Sequence, residues 1–239
     1  MEKEFETQIA AEQKRLLAEL RRRERQLSPD FDAHWRPAAL LGDMKVRIAA
    51  VTMLRRAGVL PKAGDPCLEV GYGTRGWLGV LIDWGVRETD LHGMEVDPVS
   101  AKQAQEILPL ADLRVGNATE LPWDNDTFRL VIASTIFTSI LDPTVRRLVA
   151  EEITRVLAPG GAMLCYDFAF NNPRNPNVRK LSRKELTRLF PRLKGAIKSV
   201  ELAPPLARLV APRSMTLAFL LERVPLLRTH FVATFVKPS

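Results

Sequence analysis

The rhythm of apolar and polar positions changes along this chain. Residues 3–27 carry a thin apolar stripe, Ile9, Leu16, Leu20 and Leu27, on an otherwise polar helix. That stripe is too narrow for a core helix and suits docking on the domain's own surface or on a second subunit. A homodimer through the N-terminal helices is one expectation, although a heptad seam would need apolar residues where Gln13 and Arg23 stand. A second helix is expected from Pro37, a first-turn proline. Its apolar face carries Leu40, Leu41, Met44, Ile48, Val51 and Leu54, and it stops around Gly58 and Pro61.

Beyond residue 60, short apolar runs alternate with helical patterns. "CLEV", "LHGMEV", "DLRVG", "RLVIAST" and "AMLCYDF" read as strands, and "GWLGVLIDWG", "PVSAKQAQEIL" and "PTVRRLVAEEITRVL" as the helices between them. The turn signal "APGG" closes the last of these helices. Such alternation predicts an α/β fold, a mostly parallel sheet with helices on both faces. Further on, "SRKELTRLF" opens with a capping box, Ser182 and Glu185. "AIKSVELA" and "THFVATFVK" read as two late strands around a proline-studded helical stretch at 204–227, an antiparallel addition to one sheet edge. The expected organisation is a helical extension at 1–60 and a core at 61–239 with a helical insertion at about 204–227.

Composition changes this picture little. The 239 residues suffice for one α/β domain, and 46% hydrophobic and 26% charged residues are ordinary globular values. Cys67 and Cys165 fall inside strand patterns without metal-ligand spacing, so they read as buried thiols, and no metal is expected. "MEKEFETQIAAEQKR" is charged where a signal peptide would be apolar, and no apolar run reaches the ~20 residues of a membrane span. The expectation is a soluble, cytoplasmic protein with no membrane partner. The net charge of +7 admits a nucleic-acid partner, but no aromatic interleaving of the basic residues supports one.

The chemistry concentrates in "CLEVGYGTRGW". Gly71, Gly73 and Gly76 spell G-x-G-x-x-G at the carboxyl end of the first strand, where a glycine loop and a helix start receive a nucleotide cofactor. Glu69, two residues before the first glycine, is unhelpful beside a doubly anionic pyrophosphate and suits a cofactor with an ammonium group. Glu95 in "GMEVD" ends the second strand, where a carboxylate accepts hydrogen bonds from ribose hydroxyls. Asn117 in "GNATELPW" follows the third strand and can bond an adenine edge.

"LEVGYGT", "GMEVDP", "GNATELPW", "RLVIASTIFTSILDP" and "EEITRVLAPGG" together resemble the successive motifs of class I S-adenosylmethionine-dependent methyltransferases over about residues 60–170. The resemblance implies a Rossmann-like seven-stranded sheet with its last strand antiparallel, and S-adenosylmethionine as cofactor. It implies that Glu69, Gly71, Tyr72 and Gly73, flanked by Thr74 and Trp77, face the methionine part. Glu95 would bind the ribose, with Val96 against the adenine. Asn117 and Ala118, with Thr119 beside them, would border the adenine, and Ser134 would line the cleft. Two departures stand out: Asn117 replaces a common acid, and Arg75 occupies a usual glycine, its side chain pointing outward or pairing with a carboxylate.

Methyl transfer to an alcohol needs positioning and, at most, a proton acceptor. Asp167 and His230 are the candidate bases, and Asn171, Asn172 and Arg174 the candidate substrate contacts, in "YDFAFNNPRNPNVR" and "LLRTHFVATF". His34 and Trp35 lie in a linker suited to a lid. The expected reaction moves a methyl group to a hydroxyl or amine of a small polar acceptor such as a sugar or natural-product intermediate. The alternatives are an RNA methyltransferase and a non-catalytic interaction protein on the same fold.

Overall fold

A computed structural model describes residues 2–26, 35–74, 76–172 and 175–239. Two helices open the chain, α1 (Glu2–Gln26) and α2 (Pro37–Arg56). The alternating region follows as β1 (Cys67–Val70), α3 (Leu78–Asp83), β2 (Leu91–Glu95), α4 (Pro98–Ile107), β3 (Asp112–Val115), β4 (Phe128–Ser134), α5 (Ile136–Ser139), α6 (Pro143–Val156) and β5 (Leu157–Phe168). The chain ends with α7 (Arg183–Leu189), β6 (Lys194–Leu202), α8 (Pro204–Val210), α9 (Met215–Glu222) and β7 (Arg228–Val236).

Among the described residues the strands form one seven-stranded sheet in the order β3-β2-β1-β4-β5-β7-β6. β7 runs antiparallel to both β5 and β6, and the β1–β2, β1–β4, β2–β3 and β4–β5 pairs are parallel. The chain winds outward one way from β1 to β3 and the other way from β4. The carboxyl ends of β1 and β4 therefore flank a topological switch point, where open α/β sheets hold ligands.

Both faces of the sheet are covered. Successive residues of β4 point to opposite sides: Leu130 and Ile132 pack with α2, α3 and α4, whereas Val131 and Ala133 pack with α6 and α7. α2 joins this core through Ala49, Ala50 and Leu54. The insertion packs as a smaller cluster in which Leu41 and Leu202 meet Ala207, Ala211 and Ala218.

Local chemistry sets the helix starts. Asp97 accepts from Ser100 N and Asp142 from Thr144 N and Val145 N, each followed by a proline; Ser182 caps α7 by accepting from Glu185 N. The "APGG" turn differs from expectation. It is absorbed into β5 as a register shift between the Phe128↔Leu157 and Leu130↔Ala162 pairs, with Gly160 at φ +71°. Reciprocal bonds between Gly160, Gly161 and Lys237 give its backbone the partners that a free turn would find in water.

α1 lies on the domain's own surface, with Ile9 and Leu16 against the core. Among the described residues, no helix is long and apolar enough to cross a membrane.

Candidate active site

The loop after β1 is held by two carboxylates. Gly71 takes φ +70°, and a Cβ there would overlap the Ile136 side chain, so this close, left-handed turn requires glycine. Gly71 N–H donates to Met94 O at 2.7 Å, and Gly73 N–H donates to Glu95 Oε2 at 2.8 Å. Glu95 Oε1 accepts from Val96 N (2.8 Å) and Asp97 N (3.0 Å). With one N–H at Oε2, the carboxylate retains acceptor capacity toward the cleft.

Glu69 is 1% exposed, and its Oε2 accepts from Trp77 N at 2.6 Å and Leu78 N at 3.1 Å, capping α3. Burial pushes its carboxyl well above the usual range, against the pull of those two N–H groups. A Cβ at Gly76 would collide with the Glu69 carboxylate and the Tyr72 carbonyl. Gly76 is therefore what lets the loop close over Glu69, a role beyond completing a fingerprint. Arg75 lies outside the described residues.

Two cavities meet at this loop and share Gly71, Ser134 and Thr135. The first, about 220 Å³, has Gly73, Glu95, Val96, Asn117 and Ala118 in its wall and α1 as its roof, through Ile9, Gln13, Leu16 and Leu20. The second, about 330 Å³, is bounded by Glu69, Tyr72 and Trp77, by Asp43 and Arg47 of α2, and by Tyr166 and Glu201. Thr74 and Thr119 reach neither cavity; Thr119 N donates to Asn117 Oδ1 at 3.0 Å and orients that amide.

The roof is latched by polar contacts rather than by a broad apolar face. Glu12 Oε1 accepts from Leu141 N at 2.6 Å and from Arg15 Nη2 at 2.7 Å. Arg15 in turn donates to the Ser139 carbonyl, Asn177 Nδ2 donates to Glu19 Oε2 at 2.7 Å, and Asn117 Nδ2 donates to Gln13 Oε1 at 3.4 Å. Burial raises the Glu12 carboxyl, but the Arg15 guanidinium and the Leu141 N–H outweigh it and hold the pKa below the usual value. The thin stripe of α1 was the sequence's signal for this element; that it closes a cleft was not.

The expected catalytic and acceptor contacts fall elsewhere. Asp167 is fully buried, bonded to the Thr138 hydroxyl and to the backbone N–H groups of Thr138 and Phe168, and lines neither cavity. Burial pushes its pKa up to about 7, but a sealed carboxyl cannot meet an acceptor, so its reading as a base is corrected. His230 is 3% exposed and also lines neither cavity; burial pulls its pKa down to about 4, which leaves it neutral. It too does not reach an acceptor directly.

Asn171 accepts from Lys180 N at 2.8 Å and, like Asn172, reaches neither cavity; Arg174 and His34 lie outside the described residues. Trp35 is 66% exposed and lines neither cavity. Tyr166 and Glu201 are the residues that sequence reasoning missed. Tyr166 adjoins Asp167 on β5, and the period of two turns it to the cavity face while Asp167 faces α5.

Residues 67–161 match the family described as "Methyltransferase domain". Among curated relatives, the chain is 31% identical over 111 residues to demethylmenaquinone methyltransferase of Bacillus mycoides, covering 44% of this chain and 46% of that protein. It is 30% identical over 142 residues to phthiotriol/phenolphthiotriol dimycocerosates methyltransferase of Mycobacterium leprae, covering 55% and 51%. The chain thus spans about half the length of the curated relatives it matches. Among solved structures, a putative sarcosine dimethylglycine methyltransferase from Galdieria sulphuraria superposes with TM-score 0.61 at 18% identity, over 81% of this chain and 85% of that one. Geranyl diphosphate C-methyltransferase from Streptomyces coelicolor, solved with S-adenosyl-L-homocysteine, superposes with TM-score 0.55 at 16% identity, over 80% and 81%.

Proposed function

We propose that the protein, whose residues 67–161 match a methyltransferase-domain family, is a class I S-adenosylmethionine-dependent methyltransferase that transfers a methyl group to a small, largely apolar acceptor carrying a protic group. The observation that carries this reading is the pair of cavities joined at Gly71, Ser134 and Thr135. One is shaped for the donor's nucleoside half, and the other extends past its methionine half.

The residues fit that donor. Glu95 retains acceptor capacity for a ribose hydroxyl, and Val96, Asn117 and Ala118 wall the adenine end. The backbone at Gly71 and Gly73 allows close approach, and the buried Glu69 carboxylate regains its charge when an ammonium group arrives beside it. When bound, the donor supplies a methyl carbon activated by sulfonium. The chain's own part is to orient it, to exclude water under α1 and to bring the acceptor in line from the second cavity.

The acceptor reading now leans away from sugars. Its support was Asn171, Asn172 and Arg174; the two asparagines line neither cavity and Arg174 lies outside the described residues, whereas the second cavity sets the aromatic rings of Tyr72, Trp77 and Tyr166 beside the polar Asp43, Arg47 and Glu201. The relatives named for demethylmenaquinone and for phthiotriol dimycocerosates support the same apolar class. The test is transfer of labelled methyl from S-adenosylmethionine to a panel of apolar phenols, hydroquinones and alcohols, with sugars as the comparison set. Incorporation confined to sugars would overturn the acceptor class, and failure to bind S-adenosylhomocysteine would overturn the methyltransferase reading itself.

A further inference from the structure

Facing the glycine loop, the far wall of the second cavity is made by Tyr166 of β5 and Glu201 of β6. The Tyr166 hydroxyl donates to Glu201 Oε2. Between them in the sheet runs β7, and its His230 packs behind the pair. The His230 ring stacks on Tyr166 at 5.4 Å with 11° between planes, and its Nδ1 lies 3.4 Å from Glu201 Oε2 and 3.0 Å from Thr229 Oγ1. A carboxylate at Nδ1 favours the neutral tautomer that carries its proton there.

The backbone singles out Glu201. It takes φ +65° inside an extended strand, where the β6–β7 ladder passes from Val200↔His230 to Leu202↔Arg228. That left-handed conformation is natural for glycine and disfavoured for glutamate. Such strain persists where surrounding structure enforces it, and it clusters at functional sites. Here α2 makes room: a Cβ on Gly42 would lie 2.8 Å from Glu201 Oε1. Among the described residues only three non-glycine positions have positive φ, and two of them, Thr135 and Glu201, line this one cavity. Among the described residues, the other carboxyl and guanidinium side chains lining the cavity are the Asp43–Arg47 ion pair (2.9 Å) and the buried Glu69; Asp167 lies on the opposite face of β5.

We propose that Glu201 is the general base of this site, that Tyr166 and His230 position its carboxylate, and that the acceptor is a phenol or hydroquinone. The proposal rests on reading the joined cavities as a methyl-transfer site. A carboxylate is a weak base, poorly matched to an aliphatic alcohol and much better matched to the more acidic hydroxyl of a phenol. The aromatic walls from Tyr72, Trp77 and Tyr166 suit a ring. In the step, the acceptor O–H bond breaks and its proton passes to Glu201. The acceptor oxygen forms the new bond to the methyl carbon, and the electron pair of the broken carbon–sulfur bond stays on sulfur. One positive and one negative charge are cancelled, and the proton leaves Glu201 to solvent after product release.

The test uses the full chain saturated with S-adenosylhomocysteine and 4-nitrophenol, a phenol partly ionised at neutral pH. Beside a carboxylate the probe binds as the neutral phenol, so the wild-type protein should diminish the phenolate absorbance. Glu201→Gln should bind S-adenosylhomocysteine as wild type does and leave the phenolate band intact or stronger. Glu201→Gly, which also releases the backbone strain, should behave the same way and guards against a folding defect in the first variant. Tyr166→Phe should keep the wild-type spectral change with affinity weakened up to about tenfold. If wild type binds S-adenosylhomocysteine but does not change the probe, or if Glu201→Gln changes it equally, the base assignment is overturned and the donor site stands. If S-adenosylhomocysteine itself does not bind, both readings fall.

Discussion

Gly71→Ala tests the loop on which both cavities depend. The native φ of +70° costs alanine about 1–2 kcal/mol. The new methyl would also overlap the Ile136 side chain, and overpacking of this kind costs about 1–3 kcal/mol. The sum, about 2–5 kcal/mol, predicts a melting temperature lower by roughly 4–20 °C for a chain of this size. Gly79→Ala is the matched control. Gly79 lies in α3 and a Cβ there meets nothing within 4 Å, so alanine should stabilise by up to about 1 kcal/mol. The two substitutions are chemically identical and their predicted signs are opposite. Differential scanning calorimetry with and without S-adenosylhomocysteine reads both effects. At a hundredfold excess over its dissociation constant, the ligand should add about 2.7 kcal/mol to wild type and to Gly79→Ala. Gly71→Ala should lose most of that gain. A Gly71→Ala protein that melts with wild type, or keeps the whole ligand-induced gain, would refute the geometric reasoning.

Asp167 predicts a pH dependence of a particular sign. Its folded pKa of about 7 lies above the unfolded value of about 4, so the folded state holds an extra proton between them. Stability should therefore decline as pH rises from about 4 to 7, by about 4 kcal/mol from this group, and stay level above. Asp167→Asn should flatten that slope in urea titrations across the range; an unchanged slope would assign it to other groups. Glu12 has the opposite sense. Its depressed carboxyl contributes to the α1 latch above the unfolded value near 4.3, and that contribution is lost as pH falls through the folded pKa. Glu12→Gln should speed tryptic cleavage after Lys14 or Arg15 at neutral pH, and equal cleavage rates would show that the latch lies elsewhere.

The periodic parts of the chain were readable because their physics is local. β4 and β5 carry continuous apolar runs, Leu130–Ala133 and Ala162–Cys165, and proline after a capping aspartate announces α4 and α6. The residues proposed to hold the donor could be located for the same reason, since Glu69, Gly71, Glu95 and Asn117 sit at strand ends that the alternation itself marks. Those proposed for the acceptor could not. Asp167 and Tyr166 are neighbours in sequence, and which of them faces the cavity depends on how β5 is placed between β4 and β7. Glu201 looked like an ordinary strand residue, because a positive φ at a glutamate leaves no mark in the sequence. Gly76 acquires its role only through contact with Glu69, and α1 becomes a roof only through partners more than a hundred residues away, Leu141 and Asn117.

The central claim is that the joined cavities bind a sulfonium nucleoside donor through Glu95 and the β1 loop. Isothermal titration of S-adenosylhomocysteine into wild type and Glu95→Ala tests it most directly. The account predicts one site per chain in wild type, and a dissociation constant at least about tenfold weaker in Glu95→Ala, from the loss of a charge-assisted hydrogen bond of about 1.5–3 kcal/mol. Absence of binding to the wild-type chain, or equal affinity in both proteins, would contradict it.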